Sequence, residues 1–249
     1  MRDPEGRDGW FLKWPSLDLK ESRMALKWKA HFYAPMQESG LFLRFAEIKP
    51  TRDGIREFAN TYGLLTQVDP LGPPGEALGF WISSIRQLSH AVQLWTMVGE
   101  GDVRGLAQFI EWRSFGVQYN TGKPGFGSGW VATTKEPELI ERFQKGDLVG
   151  PAWYRLQRLI NEHMAENVSP RLLWDGAYSR LGLHYVPHNL ISALWLQLAR
   201  AVDGERVFHR CDECRNWFEV QSPEGARADK KYCGAACRAR AWRKARAAK

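Results

Sequence analysis

Four cysteines near the end of the chain have the spacing of a metal site. Two residues separate Cys211 from Cys214, three separate Cys233 from Cys237, and 18 residues lie between the pairs. Two close pairs at this separation can bring four thiolates to one tetrahedral Zn²⁺ at ~2.3 Å. The alternative is a pair of disulfides, which a cytoplasmic chain does not normally retain. We therefore expect one Zn²⁺ per chain, with these four cysteines as its ligands.

The segment that carries the cysteines is also the basic part of the chain. Residues 206–249 contain 12 of the 35 Lys and Arg residues but only 5 of the 28 Asp and Glu residues. The remaining residues contain equal numbers of both, so the net charge of +7 belongs to this segment. Positive charge concentrated in one segment is typical of binding to a polyanion.

The residues after Cys233 predict a helix with a cationic surface. Ala and Arg, both strong helix formers, dominate from Ala235 onward. At ~100° per residue, Ala241 and Ala245 share a face with Cys237. Arg243 and Arg246 project on the other side, which is flanked by Arg238 on one edge and by Arg240 and Lys244 on the other. The predicted nucleic-acid contacts are Lys230, Lys231, Arg238, Arg240, Arg243, Lys244 and Arg246.

A cationic helix of this kind suits phosphates and, through bidentate arginine contacts, the edges of guanine. We therefore expect nucleic acid as the partner and favour DNA over RNA. One alternative is a solvated helix whose basic residues complement its own C-terminal dipole. Another is a structural or protein-docking finger, because small zinc folds serve many roles.

The order of elements around the cysteines predicts a treble-clef-like finger. The first cysteine pair forms a knuckle, and the second pair opens the helix, which carries the last ligand. Between them, we expect residues 219–221 and 228–232 to form the two arms of a hairpin.

The cysteine segment resembles a known family of zinc fingers. The motifs are Cys211-x2-Cys214 followed by Trp217-Phe218, and Tyr232-Cys233-x3-Cys237-Arg238-x-Arg240. They are similar to the CGNR-type fingers of bacterial proteins classed as transcription regulators, in which the finger follows a larger N-terminal domain. The resemblance covers about the last 40 residues. It departs from the family's motif at Arg238-Ala239, where that motif has Gly-Asn.

The rest of the chain alternates between strand and helix patterns. Short aromatic runs bounded by Pro and Gly predict strands, and apolar positions three and four residues apart predict helices. The predicted strands are 10–14, 24–28, 41–45, 115–120 and 129–134, and Asp175-Gly176 predicts a type I′ hairpin turn. The predicted helices are 51–62, 76–98, 101–114, 136–167 with a break near Gly150, and 188–202. The fold class is α+β: a body of mixed strands and helices, then a small zinc finger.

No catalytic motif is readable in the body, so we expect no enzyme. The glycine-rich stretch 122–129 lacks the Gly-Lys-Ser/Thr that would lead into a phosphate-binding helix. Glu162 and His163 are interpreted as part of the solvated face of their helix. The apolar runs are too short to span a membrane and no secretory signal is visible, which predicts a cytoplasmic protein.

These patterns predict two domains, a body at 1–204 and a zinc finger at 205–249. The predicted function is a zinc-dependent nucleic-acid-binding protein, specifically a bacterial DNA-binding transcription regulator. The alternative is a component of a nucleic-acid-processing or defence complex, in which the finger is an accessory contact to nucleic acid or protein. Either function is compatible with a homo-oligomer or a protein complex that assembles through the body.

Overall fold

The computed structural model describes residues 11–13, 16–20, 23–27, 31–66, 75–120, 128–175, 180–204, 207–220 and 229–247. Helices and strands are mixed along these ranges, which confirms the α+β class. The helices are α1 (Leu41–Ala46), α2 (Arg52–Tyr62), α3 (Leu78–Glu100), α4 (Val103–Leu106), α5 (Pro137–Ile140), α6 (Val149–Met164), α7 (Leu190–Val202) and α8 (Ala235–Ala247). None of the helices in the described ranges is long and apolar enough to cross a lipid bilayer.

The strands form five small antiparallel sheets in the described part of the chain. They are β1 (Phe11–Lys13) with β4 (His31–Tyr33), then β2 (Ser16–Lys20) with β3 (Arg23–Lys27) and β5 (Glu76–Ala77), β6 (Ile110–Arg113) with β7 (Gly116–Asn120) and β8 (Ser128–Thr133), β9 (Val168–Asp175) with β10 (Arg180–Pro187), and β11 (Val207–Arg210) with β12 (Trp217–Val220). The predicted strand pair at 115–120 and 129–134 is confirmed as β7 and β8.

Four helices enclose the main core. α1, α3, α6 and α7 pack against one another, and their largest fully buried side chains include Trp81 of α3 and Trp195 of α7. In α3, the predicted spacing places Ile85, Leu88 and Leu94 on the buried face. Full burial of an apolar side chain of this size stabilises the fold by ~1.5 to 3 kcal/mol.

Local capping signals fix the ends of the helices that the sequence predicts best. The side chain of Thr51 accepts a hydrogen bond from the Gly54 N–H at 3.3 Å at the start of α2, and Gly63 follows its last turn. At α7, Asn189 and Ser192 form a reciprocal capping box. Both helices have the predicted positions.

The strand predicted at Leu41–Phe45 is wrong, because this segment is the helix α1. Its four large side chains are all fully buried, so the sequence shows neither the strand period nor the helix period. The helix begins after Gly40, whose φ of 68° lies in the left-handed region. Gln197 of α7 then accepts a hydrogen bond from the Phe42 N–H at 3.2 Å. A contact distant in sequence therefore helps to hold α1 in place.

The helix predicted at 101–114 is also wrong over most of its length. Only α4 is helical, with the Asp102 side chain accepting from the Gly105 N–H at 2.9 Å. From Ile110 onward the chain becomes β6, which pairs with β7 in a register that places Ile110 opposite Tyr119. Pairing with a neighbouring strand overrides a helix propensity that is weak in any case.

The hairpin of β9 and β10 presents an apolar face to solvent. The two strands pair so that Leu181 faces Trp174 and Leu183 faces Leu172. All four side chains are at least 60% exposed. The predicted turn after Asp175 falls at residues 176–179, which lie outside the described residues.

The cysteine segment packs against the body through Phe208 of β11. Phe208 is buried, and its ring makes an edge contact with Phe42 of α1 at a centroid distance of 5.4 Å. Glu47 accepts hydrogen bonds from Arg210 and, at 2.9 Å, from the indole N–H of Trp217. The division into domains at residue 204 stays a prediction, but the apolar core is continuous across it.

Because Phe208 joins β11 to the body, Phe208→Ala should destabilise the whole folded chain. Removing a buried aromatic ring costs about 3 to 5 kcal/mol of unfolding free energy. Equilibrium urea unfolding followed by tryptophan fluorescence measures the loss. The matched control is Phe115→Ala, whose side chain is 69% exposed and whose removal should cost less than about 0.5 kcal/mol. Equal destabilisation by both variants would show that Phe208 does not connect the two parts.

Candidate metal centre

The first cysteine pair lies in the turn that joins β11 to β12. Arg210 and Trp217 form the last pair of the two strands, and the turn between them carries Cys211 and Cys214. The N–H of Cys211 donates to the carbonyl of Asn216 at 2.9 Å, and the N–H of Arg215 donates to the carbonyl of Cys211 at 2.8 Å. These bonds close a tight knuckle.

The hairpin predicted between residues 219–221 and 228–232 is not formed as expected. β12 pairs with β11, so the hairpin has the cysteine knuckle at its tip. Residues 229–232 contain no strand, and 221–228 lie outside the described residues. The sequence interpretation missed this pairing because Val207–Arg210 is a short run that precedes the first cysteine.

The second cysteine pair is positioned by the start of α8. Cys233 comes just before the helix, and Cys237 lies in its first turn. The N–H of Asp212 donates to the carbonyl of Lys231 at 3.0 Å, which joins the knuckle to the segment before Cys233. The predicted helix from Ala235 is confirmed.

The four sulfur atoms form one cluster, all within 4.8 Å of one another. The Sγ atoms of Cys214 and Cys233 are 3.7 Å apart, and those of Cys233 and Cys237 are 3.5 Å apart. A tetrahedron of sulfurs with metal bonds of ~2.3 Å has edges of about 3.8 Å, whereas a disulfide bond is only ~2.05 Å long. The four cysteines are free thiols, and their arrangement can hold a metal ion.

The surroundings of the sulfurs shift the pKa values of two of the thiols in opposite directions. Burial raises the pKa of Cys211, but backbone N–H groups of Cys214, Cys233 and Glu213 outweigh it and lower that pKa to about 6. Burial and the three neighbouring sulfurs raise the pKa of Cys233 to about 12. The Cys211 side chain therefore loses its proton more readily than the Cys233 side chain. A donor set of four thiolates would suit soft or borderline metals.

A carboxylate beside the cluster pairs with two of the predicted nucleic-acid contacts. The Glu213 side chain is 11% exposed, with the Lys244 ammonium 2.7 Å from Oε1 and the Arg240 Nε at 4.0 Å. Arg240 also donates to the Cys237 sulfur at 3.0 Å. Both residues therefore lie against the metal knuckle, where their charge offsets that of the thiolates.

The other predicted contacts lie on exposed parts of the segment. Arg238, Arg243 and Arg246 are solvent-exposed on α8, as is Lys231 before it. The ammonium of Lys230 lies 5.4 Å from the centre of the Phe218 ring, behind the knuckle. Six of the seven basic residues are thus solvent-exposed, and two of these six, Arg240 and Lys244, also pair with Glu213.

Sequence reasoning did not include Trp242 among the site residues. Its side chain is 59% exposed, and the Arg246 guanidinium lies 4.7 Å from the centre of its ring. An exposed tryptophan on a polar helix is unusual, since most tryptophans are largely buried. The sequence feature that could have identified Trp242 is its position five residues after Cys237. This spacing turns its side chain away from the face of α8 that carries Cys237.

A scan against protein-family models, a search of curated proteins and a search of solved structures each found no match to this chain. The site is therefore interpreted from its own geometry.

The geometry predicts that the metal and α8 depend on each other. A 13-residue helix is marginal in isolation, because helices shorter than ~12 to 15 residues rarely form alone in water. Cys214→Ser should therefore lose the metal and part of the helical signal. Elemental analysis of anaerobically purified full-length protein and far-ultraviolet circular dichroism measure the two effects. The control is Asp212→Asn, an exposed residue of the same knuckle, which should retain both. Metal-free wild-type protein would contradict the prediction.

Proposed function

We propose that the cysteine cluster binds one Zn²⁺ and that the adjoining surface of α8 binds nucleic acid. Four thiolates fill the tetrahedral shell of zinc, which leaves no open position for a substrate. The ion is then structural: it holds the knuckle of β11 and β12 to the first turn of α8. This position makes the cationic surface of the helix depend on the metal.

The observation that carries the nucleic-acid proposal is the exposed side of α8. Arg238, Arg243 and Arg246 project from it, and the Arg246 guanidinium lies against the ring of Trp242. Arginines position a protein on phosphates, and an exposed aromatic ring offers a platform on which a base can stack. With its side chains an α-helix is ~10 to 12 Å across, a width that the ~12 Å major groove of DNA admits.

Arg240 and Lys244 have a different role in this proposal. Because they pair with Glu213 and approach the Cys237 sulfur, their charge is already engaged. They stabilise the knuckle and contribute less to the external field than the three exposed arginines. Contacts to phosphate are therefore assigned mainly to the side of the helix that carries Arg243 and Arg246.

We further propose that the protein is a bacterial DNA-binding transcription regulator. The support is the resemblance of the cysteine motifs to CGNR-type fingers and the firm attachment of the segment to the body at Phe208 and Glu47. Such an attachment lets the body influence how α8 meets its target. DNA is preferred over RNA on the strength of the same resemblance.

A second function is favoured by the exposed apolar face of the β9–β10 hairpin. Leu172, Trp174, Leu181 and Leu183 form a contiguous exposed patch of the kind that marks protein contacts. The protein would then be a component of a nucleic-acid-processing or defence complex, with the finger as an accessory contact. A short RNA retained by the purified protein would support this function over the regulator.

Replacing Arg243 and Arg246 with Ala tests the proposal. Ala is the better helix former, so α8 and the metal should be retained. Removing one arginine–phosphate contact should lower the magnitude of the slope of log K against log salt by ~0.9. Fluorescence anisotropy with duplex DNA and with RNA, at a series of salt concentrations, measures binding.

The control is Arg52→Ala with Arg56→Ala, two exposed arginines of α2. It removes the same charge from the whole chain but none from α8, so the slope should stay at the wild-type value. Equal weakening by both double variants would show that binding responds only to net charge. Either this outcome, or wild-type protein that binds neither DNA nor RNA, would refute a role for α8.

A further inference from the structure

A cavity of about 340 Å³ lies in the body, away from the cysteine cluster. It opens between α3, α6 and β7, and its volume falls in the range of ~300 to 1,000 Å³ typical of small-molecule sites. Its chemically active lining residues are Arg86, His90, Tyr119, Arg155, Glu162 and His163.

Two of these side chains have buried polar atoms without a hydrogen-bond partner. His90 is only 7% exposed, and neither of its ring nitrogens has a partner among the described residues. The Nε of Arg155 is likewise buried and without a partner in those ranges. Buried polar atoms are nearly always hydrogen-bonded in folded proteins, and exceptions call for a specific explanation. A ligand in the cavity that both residues line would supply the missing partners.

The lining is held in place by contacts that leave the cavity open. The Arg155 guanidinium lies over the Tyr119 ring at 4.0 Å, and the His163 ring stacks on Trp195 at 4.1 Å. Glu162 accepts a hydrogen bond from Arg158 at 3.3 Å. Fixed rings and a fixed guanidinium reduce the entropy lost when a ligand binds.

The charge of the lining favours an anion. Arg155 and Arg86 contribute two guanidinium groups to the lining, against the single carboxylate of Glu162, which also pairs with Arg158. Burial and the charge of Arg155 lower the pKa of His90 to about 4, so its ring is neutral at neutral pH. A neutral imidazole can donate one hydrogen bond to an oxygen without adding a charge that would need compensation.

We propose that this cavity binds a small organic oxyanion, with a phosphate or carboxylate group held between the guanidinium of Arg155 and the ring of His90. The Tyr119 ring forms an apolar wall for the rest of the ligand. This site belongs to the body, and its function does not depend on nucleic-acid binding by α8.

The test uses zinc-loaded, full-length protein carrying isotope-labelled histidine. The chain has six histidines, so the ring signals of His90 and His163 can be assigned by single substitution. Sodium phosphate and sodium succinate are titrated separately, with sodium chloride at matched ionic strength as the reference. A saturable shift of the His90 signal is expected with at least one oxyanion and not with chloride, and the oxyanion that shifts it identifies the group.

Two variants locate the binding. Arg155→Met removes the guanidinium while keeping a long side chain, and it should raise Kd by about tenfold or more, the value of a charge-assisted contact. Gln87→Trp enlarges an exposed residue on the cavity wall and should block entry without disturbing the core. The control, Arg56→Met on α2, removes the same charge outside the cavity and should leave Kd unchanged.

The variants also define what would overturn the proposal. If Arg155→Met does not fold, Gln87→Trp alone tests whether the anion binds in the cavity. Shifts that persist in Gln87→Trp, or that chloride reproduces, would place the anion elsewhere and refute the site. The absence of any shift with both oxyanions would refute it as well. None of these results depends on whether the protein binds DNA or RNA.

Discussion

Four sulfur atoms held within 4.8 Å of one another cannot all carry negative charge unless a cation joins them. The C-terminal part of the chain is organised around this constraint. The β11–β12 turn supplies two of the sulfurs, and the start of α8 supplies the other two. Basic side chains close to the cluster, those of Arg240 and Lys244, reduce its negative charge further. The position of α8 is therefore tied to the cluster of four sulfurs.

Two glutamates, each paired with side chains of another segment, connect the cysteine knuckle to the body and to α8. Glu47 of the body accepts from Arg210 and Trp217 of the hairpin, and Glu213 of the knuckle pairs with Lys244 and Arg240 of α8. Exposed ion pairs stabilise a fold only weakly, typically by ~0 to 1 kcal/mol. The larger contribution at the first junction comes from the burial of Phe208 against Phe42. The glutamates thus orient segments whose attachment depends mainly on apolar packing.

The parts of the structure that the sequence predicts are those determined by nearby residues. Cysteine spacing predicts that the four sulfurs come together, and Thr51 and Gly63 mark the ends of α2, because each signal acts over a few positions. The sequence predictions are wrong where contacts between residues distant in sequence determine the structure. Leu41–Phe45 is apolar except for the exposed Arg44 and forms a helix that packs against α3 and α7. β11 pairs with β12 across the knuckle. The body cavity was not predictable either, because His90, Tyr119 and Arg155 come from three separate elements. His163 belongs to this cavity and not to the solvated helix face that the sequence indicates.

The insertion of Phe208 into the core of the body fixes the direction in which α8 points. A finger on a flexible tether samples many orientations and loses that freedom when it meets a target. Here β11 is anchored to the body at Phe208 and Glu47, and Glu213 of the knuckle pairs with Lys244 of α8. A helix held in this way would lose less angular entropy on docking to the proposed nucleic acid than a helix on a flexible tether. A rigid polymer lying along α8 would be oriented by the body as a whole, and two copies on one polymer would have a fixed spacing and handedness relative to each other.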